Sequence, residues 1–145
     1  MQEYKRFKIV YTGHVADFEE EILYWAEQEV RKGKPGLWCE LADNYARQLT
    51  IISLNPYPEE TNGTVEVEDE DETPPSLKHL DVYTRYPNFY RWGVPGRRTG
   101  DHRIIYAIHN FHKVILLYYF DKQYNGAIKR HDLQPAELNY EYYCI

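Results

Sequence analysis

The sequence predicts an α+β domain: an N-terminal strand, an αα-hairpin, then a three-stranded antiparallel meander, with the helices packed on one face of a small sheet. Three observations predict it. Apolar residues recur at helical spacing between Val15 and Ile52, interrupted once by KGKPG at 32 to 36. Beyond residue 88 the chain turns strand-like, with apolar runs separated by turn residues. The length of 145 residues suits one domain, which buries roughly two-thirds of the surface its unfolded chain exposes.

The elements follow in order. Residues 3 to 11, EYKRFKIVY, set Phe7, Ile9 and Tyr11 against Arg6, Lys8 and Val10, the alternation of a strand. After Thr12 and Gly13, a first helix carries Val15, Phe18, Ile22, Trp25 or Ala26, and Val30 on one stripe, with glutamates near its start. A second helix carries Trp38, Leu41, Tyr45, Leu49 and Ile52 and stops before Asn55 and Pro56. Both Trp25 and Trp38 fall on these stripes and are expected in the core. The meander strands run from Phe89 to Val94, from His102 to His109 and from Lys113 to Lys122, with turns at PGRRTGD and near Asn110 to His112. The tail LNYEYYCI at 138 to 145 has the size of a short helix or strand.

The net charge of −6 is unevenly spread. Residues 59 to 72, EETNGTVEVEDEDE, hold eight of the 23 acids and no Lys or Arg, so the remainder sets 15 acids against 17 basic residues. A mildly basic body with an acidic appendage results, and the appendage reads as a flexible, solvated loop at 57 to 75 or as a plug over a basic groove. The longest apolar run, VILLYYF at 114 to 120, is seven residues, against the ~20 that span a bilayer. With no apolar h-region in MQEYKRFKIVYTG, a soluble, cytoplasmic protein is expected. Cys39 and Cys144 imply free thiols rather than a disulfide framework. HNFH at 109 to 112 lacks a further ligand at metal-site spacing, so no metal is expected, and neither a phosphate-binding glycine loop nor a nucleophile elbow occurs.

One residue breaks the strand pattern. In GDHRIIYAIH at 100 to 109, His102, Ile104, Tyr106 and Ile108 share a face, and Arg103, Ile105, Ala107 and His109 share the other. The first set should receive the hairpin, so Arg103 points away from it, across from about Tyr119. Lys122 and Tyr124 then lie near Gly100 and Arg98, and one end of the sheet gathers Arg97, Arg98, Arg103, Lys122 and Tyr124, with Arg91 a few residues along.

SLKHL at 76 to 80, FYRW at 89 to 92, RRTGDHRIIYAI at 97 to 108 and ILLYYFDKQY at 115 to 124 together resemble the RelE/ParE superfamily of toxins from type II toxin-antitoxin modules. The pattern is most similar to the YoeB-like and RelE-like ribosome-dependent mRNA interferases, with LYW at 23 to 25 a weaker echo. The resemblance covers most of the chain but neither the acidic segment nor the tail beyond about residue 131.

It implies a cytoplasmic endoribonuclease without cofactor or metal, in which the 2′-OH of the mRNA attacks the neighbouring phosphate. The protein must then supply a base, an acid and cations around the phosphorane-like transition state. On this resemblance Arg103, Tyr124, Lys122 and Arg91 are the catalytic candidates. Lys78, His79, Arg97 and Arg98 are candidates for binding RNA. The structural alternative for Arg103 is an ion pair with Asp101 or Asp121, and for Tyr124 it is packing. Two family positions depart: TPPS stands where the YoeB-like pattern has a glutamate before LKH, and Gln123 stands where it has a histidine. The implied partners are a cognate antitoxin, the ribosome and mRNA. Two other readings remain open, a ParE-like toxin that binds DNA gyrase without nuclease chemistry and a family member that only binds an antitoxin.

Overall fold

In the computed structural model, which describes residues 6–58 and 74–145, the chain runs β1 Lys8–Tyr11, α1 Val15–Arg31, α2 Leu37–Leu54, β2 Ser76–His79, β3 Phe89–Val94, a 3-10 turn Arg97–Thr99, β4 His102–His109, β5 Lys113–Asp121 and α3 Arg130–Tyr143. The acidic segment 59 to 72 lies outside the described residues. The class is α+β. Five strands form one mixed sheet in the order β1-β5-β4-β3-β2, with β1 parallel to β5 and the remaining neighbours antiparallel. The edge strand β2 extends the sheet beyond the three strands that the turn signals marked off.

The hairpin is closed by a side chain. Glu29, near the end of α1, accepts hydrogen bonds from the backbone N–H groups of Gly36, Trp38 and Cys39 at 3.0, 3.2 and 2.8 Å, satisfying the free donors at the start of α2. Val15, Phe18 and Ile22 of α1 and Leu41, Tyr45 and Ile52 of α2 then bury against Trp92, Val94, Ile104, Tyr106, Ile108, Val114 and Leu116 of the sheet. Trp92 is fully buried and donates its indole N–H to the side-chain oxygen of Gln48 at 2.8 Å, which ties α2 to the middle of β3.

The expectation that helices occupy one face of the sheet is corrected. α3 packs on the other face, where Leu133, Ala136 and Tyr140 meet Leu80, Phe89, Ile105, Ala107, Ile115, Leu117 and Phe120. The reason is in β4 and β5, whose side chains are apolar on both faces and therefore need two covers. Thr84 donates to Glu137 at 2.6 Å, fastening the loop after β2 to α3, and Arg130, at the start of the same helix, pairs with that carboxylate.

Two further expectations change. Trp25 is 42% exposed, because the buried stripe of α1 turns away after Ile22; its ring instead lies 6.0 Å from that of Trp38. Arg103 lies across from Phe120 rather than Tyr119, because a bulge between Ile105 and Tyr106 inserts one residue into β5.

Candidate functional site

A groove of about 940 Å³ opens at the end of the sheet where β3, β4 and β5 meet their connecting turns. Its walls include Arg97, Arg98, Arg103, Lys122 and Tyr124, together with Asp101 and Asp121. Five of the eight residues singled out from the sequence thus line one concavity. Arg91 flanks it by donating to Ser76, a groove residue, at 3.2 Å. Lys78 stands directly opposite Arg91 in the β2–β3 register, outside the groove lining, with its ammonium 5.3 Å from the Tyr83 ring. His79 faces the hairpin side, stacks on Tyr90 with centroids 4.7 Å apart and bonds the Pro87 carbonyl, because successive strand residues point to opposite faces.

Strand geometry makes the site cationic. Lys78, Arg91 and Arg103 project from the same face of three adjacent strands, and like charges directly opposite one another destabilise a sheet. Arg103 has room because its partner on β3 is Gly93, where a Cβ would stand 3.4 Å from the guanidinium. Its Nη1 pairs with Asp101 at 2.6 Å and donates to the His102 carbonyl at 3.0 Å. The Nε atoms of Arg91 and Arg103 are buried without a hydrogen-bond partner among the described residues. Burial first, and then the charge of Arg103, push the pKa of Arg91 down from its ordinary value. Two crowded guanidinium groups form a place for an anion, since a phosphate supplies negative charge between them and can take over the Arg103 donors that Asp101 holds.

The turn that carries Arg97 and Arg98 is held from below by His102, which is 3% exposed. Its Nδ1 lies 2.7 Å from the Tyr119 hydroxyl and its Nε2 lies 3.0 Å from that of Thr99. Thr99 already donates to the Gly96 carbonyl at 2.5 Å, so a neutral ring donating from Nε2 and accepting at Nδ1 satisfies every group. His102 is therefore a strut rather than a base. Burial lowers its pKa from 6.5, outweighing the opposite pull of Asp121, Asp101 and Glu21. With the folded value below the unfolded one, this residue contributes stability that is complete above the unfolded value and lost as pH falls through the folded one. Replacing His102 with Gln should flatten the fall in stability on acidification below 6.5, read from urea midpoints across that range.

The ring sits between two glycines. A Cβ on Gly96 would lie 2.5 Å from His102 and 2.6 Å from the Gly100 carbonyl, and Arg97 is held at φ 49, a region that side chains disfavour. Gly96→Ala should cost about 1–3 kcal/mol and displace Arg97 and Arg98, because the carbonyl it meets is backbone. The check is a drop in unfolding midpoint together with weaker RNA binding. A variant with unchanged stability would show that the turn yields freely. Arg97 is also drawn toward α2, pairing with Glu40 at 3.2 Å, while Arg98 has no partner among the described residues.

Tyr124 is anchored by a residue the sequence reading did not single out. Its hydroxyl donates to Asp132, in the first turn of α3, at 2.5 Å and accepts from the Lys129 N–H at 3.2 Å. Lys122 and Lys129 lie 5.4 and 4.7 Å from its ring centroid. Burial, then the bond to Asp132, push its pKa upward, so the phenol keeps its proton. Among the described residues no group of three or more His, Cys, Asp or Glu is placed to hold a metal ion, and no helix is long and apolar enough to cross a membrane.

No family model matches this chain, and neither a curated protein nor a solved structure matches it. The functional reading therefore rests on the groove and on the sequence motifs that build it.

Proposed function

We propose that this chain is the toxin of a type II toxin-antitoxin module, with the strand, helical hairpin and antiparallel strands of a RelE/ParE-like toxin, and that it cleaves mRNA on the ribosome. The observation that carries the reading is Arg103. It is largely buried beside a second arginine and it opens into a groove with Arg97, Arg98 and Lys122. That arrangement suits a phosphodiester whose charge grows in the transition state. Tyr124, with Lys122 and Lys129 beside its ring, supplies stacking and backbone contacts for single-stranded RNA. A cognate antitoxin is the proposed protein partner in the cytoplasm, and it silences the toxin by covering the cationic groove.

A ParE-like reading, in which the chain binds DNA gyrase and does no chemistry, draws on one specific feature. Arg103 and Tyr124 are each held by a carboxylate, Asp101 and Asp132, which leaves few free proton-transfer groups. Induced expression separates the two readings. If the chain cuts mRNA, methionine incorporation collapses while plasmid supercoiling is still normal. Loss of supercoiling ahead of translation would replace the nuclease reading with the gyrase one.

A further inference from the structure

We infer that Asp101 is the proton acceptor in the cleavage step, an inference that rests on the RNA-cleavage reading. Attack by a 2′-oxygen requires a base beside the phosphate, and the positions where the sequence resemblance would place one hold neither a glutamate nor a histidine. Three groups in the groove wall can in principle take a proton: Asp101, Asp121 and the Tyr124 oxygen. Tyr124 is already a donor, its proton shared with Asp132. Asp121 is fixed as the acceptor of the Asp101 backbone N–H at 2.8 Å, and its other oxygen lies against Gly100.

Asp101 differs from both. Its side chain is 50% exposed to the groove and its only side-chain ion-pair partner among the described residues is Arg103, at 2.6 Å. A phosphate that binds Arg103 competes for the same guanidinium donors. The carboxylate it displaces is left within one guanidinium's width of the phosphate, without its counter-ion and beside a second negative charge, and both changes favour taking up a proton. Substrate binding thereby creates the base.

The step balances. The 2′-O–H bond breaks and its proton passes to Asp101; the 2′-oxygen bonds phosphorus; the bond from phosphorus to the 5′-oxygen breaks. The leaving oxygen takes a proton from the Lys122 ammonium, which has protons to spare beyond the one it donates to the Gly126 carbonyl. The products are a 2′,3′-cyclic phosphate and a 5′-hydroxyl, and water returns the proton from Asp101 to Lys122.

The test is single-turnover cleavage of an mRNA on programmed ribosomes by the wild type, Asp101→Asn and Asp101→Ala, with binding to the same complexes measured in parallel. A base removed by either substitution slows cleavage by about 10²–10⁴-fold in both variants, with binding equal to the wild type or tighter. Asparagine keeps an oxygen that accepts from Arg103, so a residue that only positions the arginine would leave Asp101→Asn far more active than Asp101→Ala. That pattern, or near-normal cutting by Asp101→Asn, overturns the inference. Absence of cutting by the wild type overturns the RNA-cleavage reading itself, and the inference with it.

Discussion

Replacing Arg103 with alanine is expected to lower the rate of mRNA cleavage by about 10²–10³-fold without unfolding the protein. The size follows from where the charge lies. Arg103 is largely buried and its Nη1 is held by the His102 carbonyl, a contact that remains when a phosphate displaces Asp101, so the guanidinium is already aimed when charge develops. Stability should hold because Arg103 is not a member of either buried apolar cluster, and its removal relieves the charge that lowers the pKa of Arg91. The half-exposed Asp101 loses its partner but keeps access to water. Arg103→Lys should recover a part of the rate only, since an ammonium restores the charge but not the forked donors. Near-normal cutting by Arg103→Ala, with an unchanged unfolding midpoint, would reduce Arg103 to a structural ion pair with Asp101.

Trp92→Ala is expected to have the largest effect on the fold, about 3–5 kcal/mol in urea unfolding. The indole fills the space between α2 and β3, stacks on Tyr45 with centroids 5.2 Å apart and satisfies Gln48, itself 1% exposed. Alanine opens a cavity and removes the indole N–H that Gln48 accepts. Gln48 also belongs to the groove wall, so function should weaken along with stability. Trp92→Phe should fall in between, because it refills most of the cavity but has no N–H to donate to Gln48. A loss below about 1 kcal/mol for the alanine variant would mean that the hairpin is anchored elsewhere.

How much of this was legible in the sequence depends on the range of the interaction. The hairpin and the strands β3 to β5 were legible because period and turn residues are local signals. The second helical layer was not read, although β5 carries its trace: VILLYYF does not alternate, as a strand covered on both faces need not. Pro135, inside α3, and a tail crowded with tyrosines hid the helix itself. The bulge in β5 shifted the partner of Arg103 by one residue, a detail that no periodicity contains.

The site divides in the same way. Arg97, Arg98, Arg103, Lys122 and Tyr124 were gathered correctly because two short turns fix which strand ends meet. His79 and Lys78 are neighbours in one motif, yet alternation within β2 sends them to opposite faces. Asp132 was invisible as a partner of Tyr124, since nothing in the sequence alone brings the first turn of α3 to that loop. His102 had been expected on the core face, and there it is, where its role is to hold the arginine turn.

The most direct measurement is primer extension on an mRNA in an initiated translation extract, with and without ribosomes, using the wild type beside Arg103→Ala. Cuts within the reading frame that require ribosomes and fade by orders of magnitude in Arg103→Ala are the predicted result. An mRNA left intact by a wild-type protein that still arrests growth would contradict the account, because the cationic groove would then serve something other than a phosphodiester in an open message.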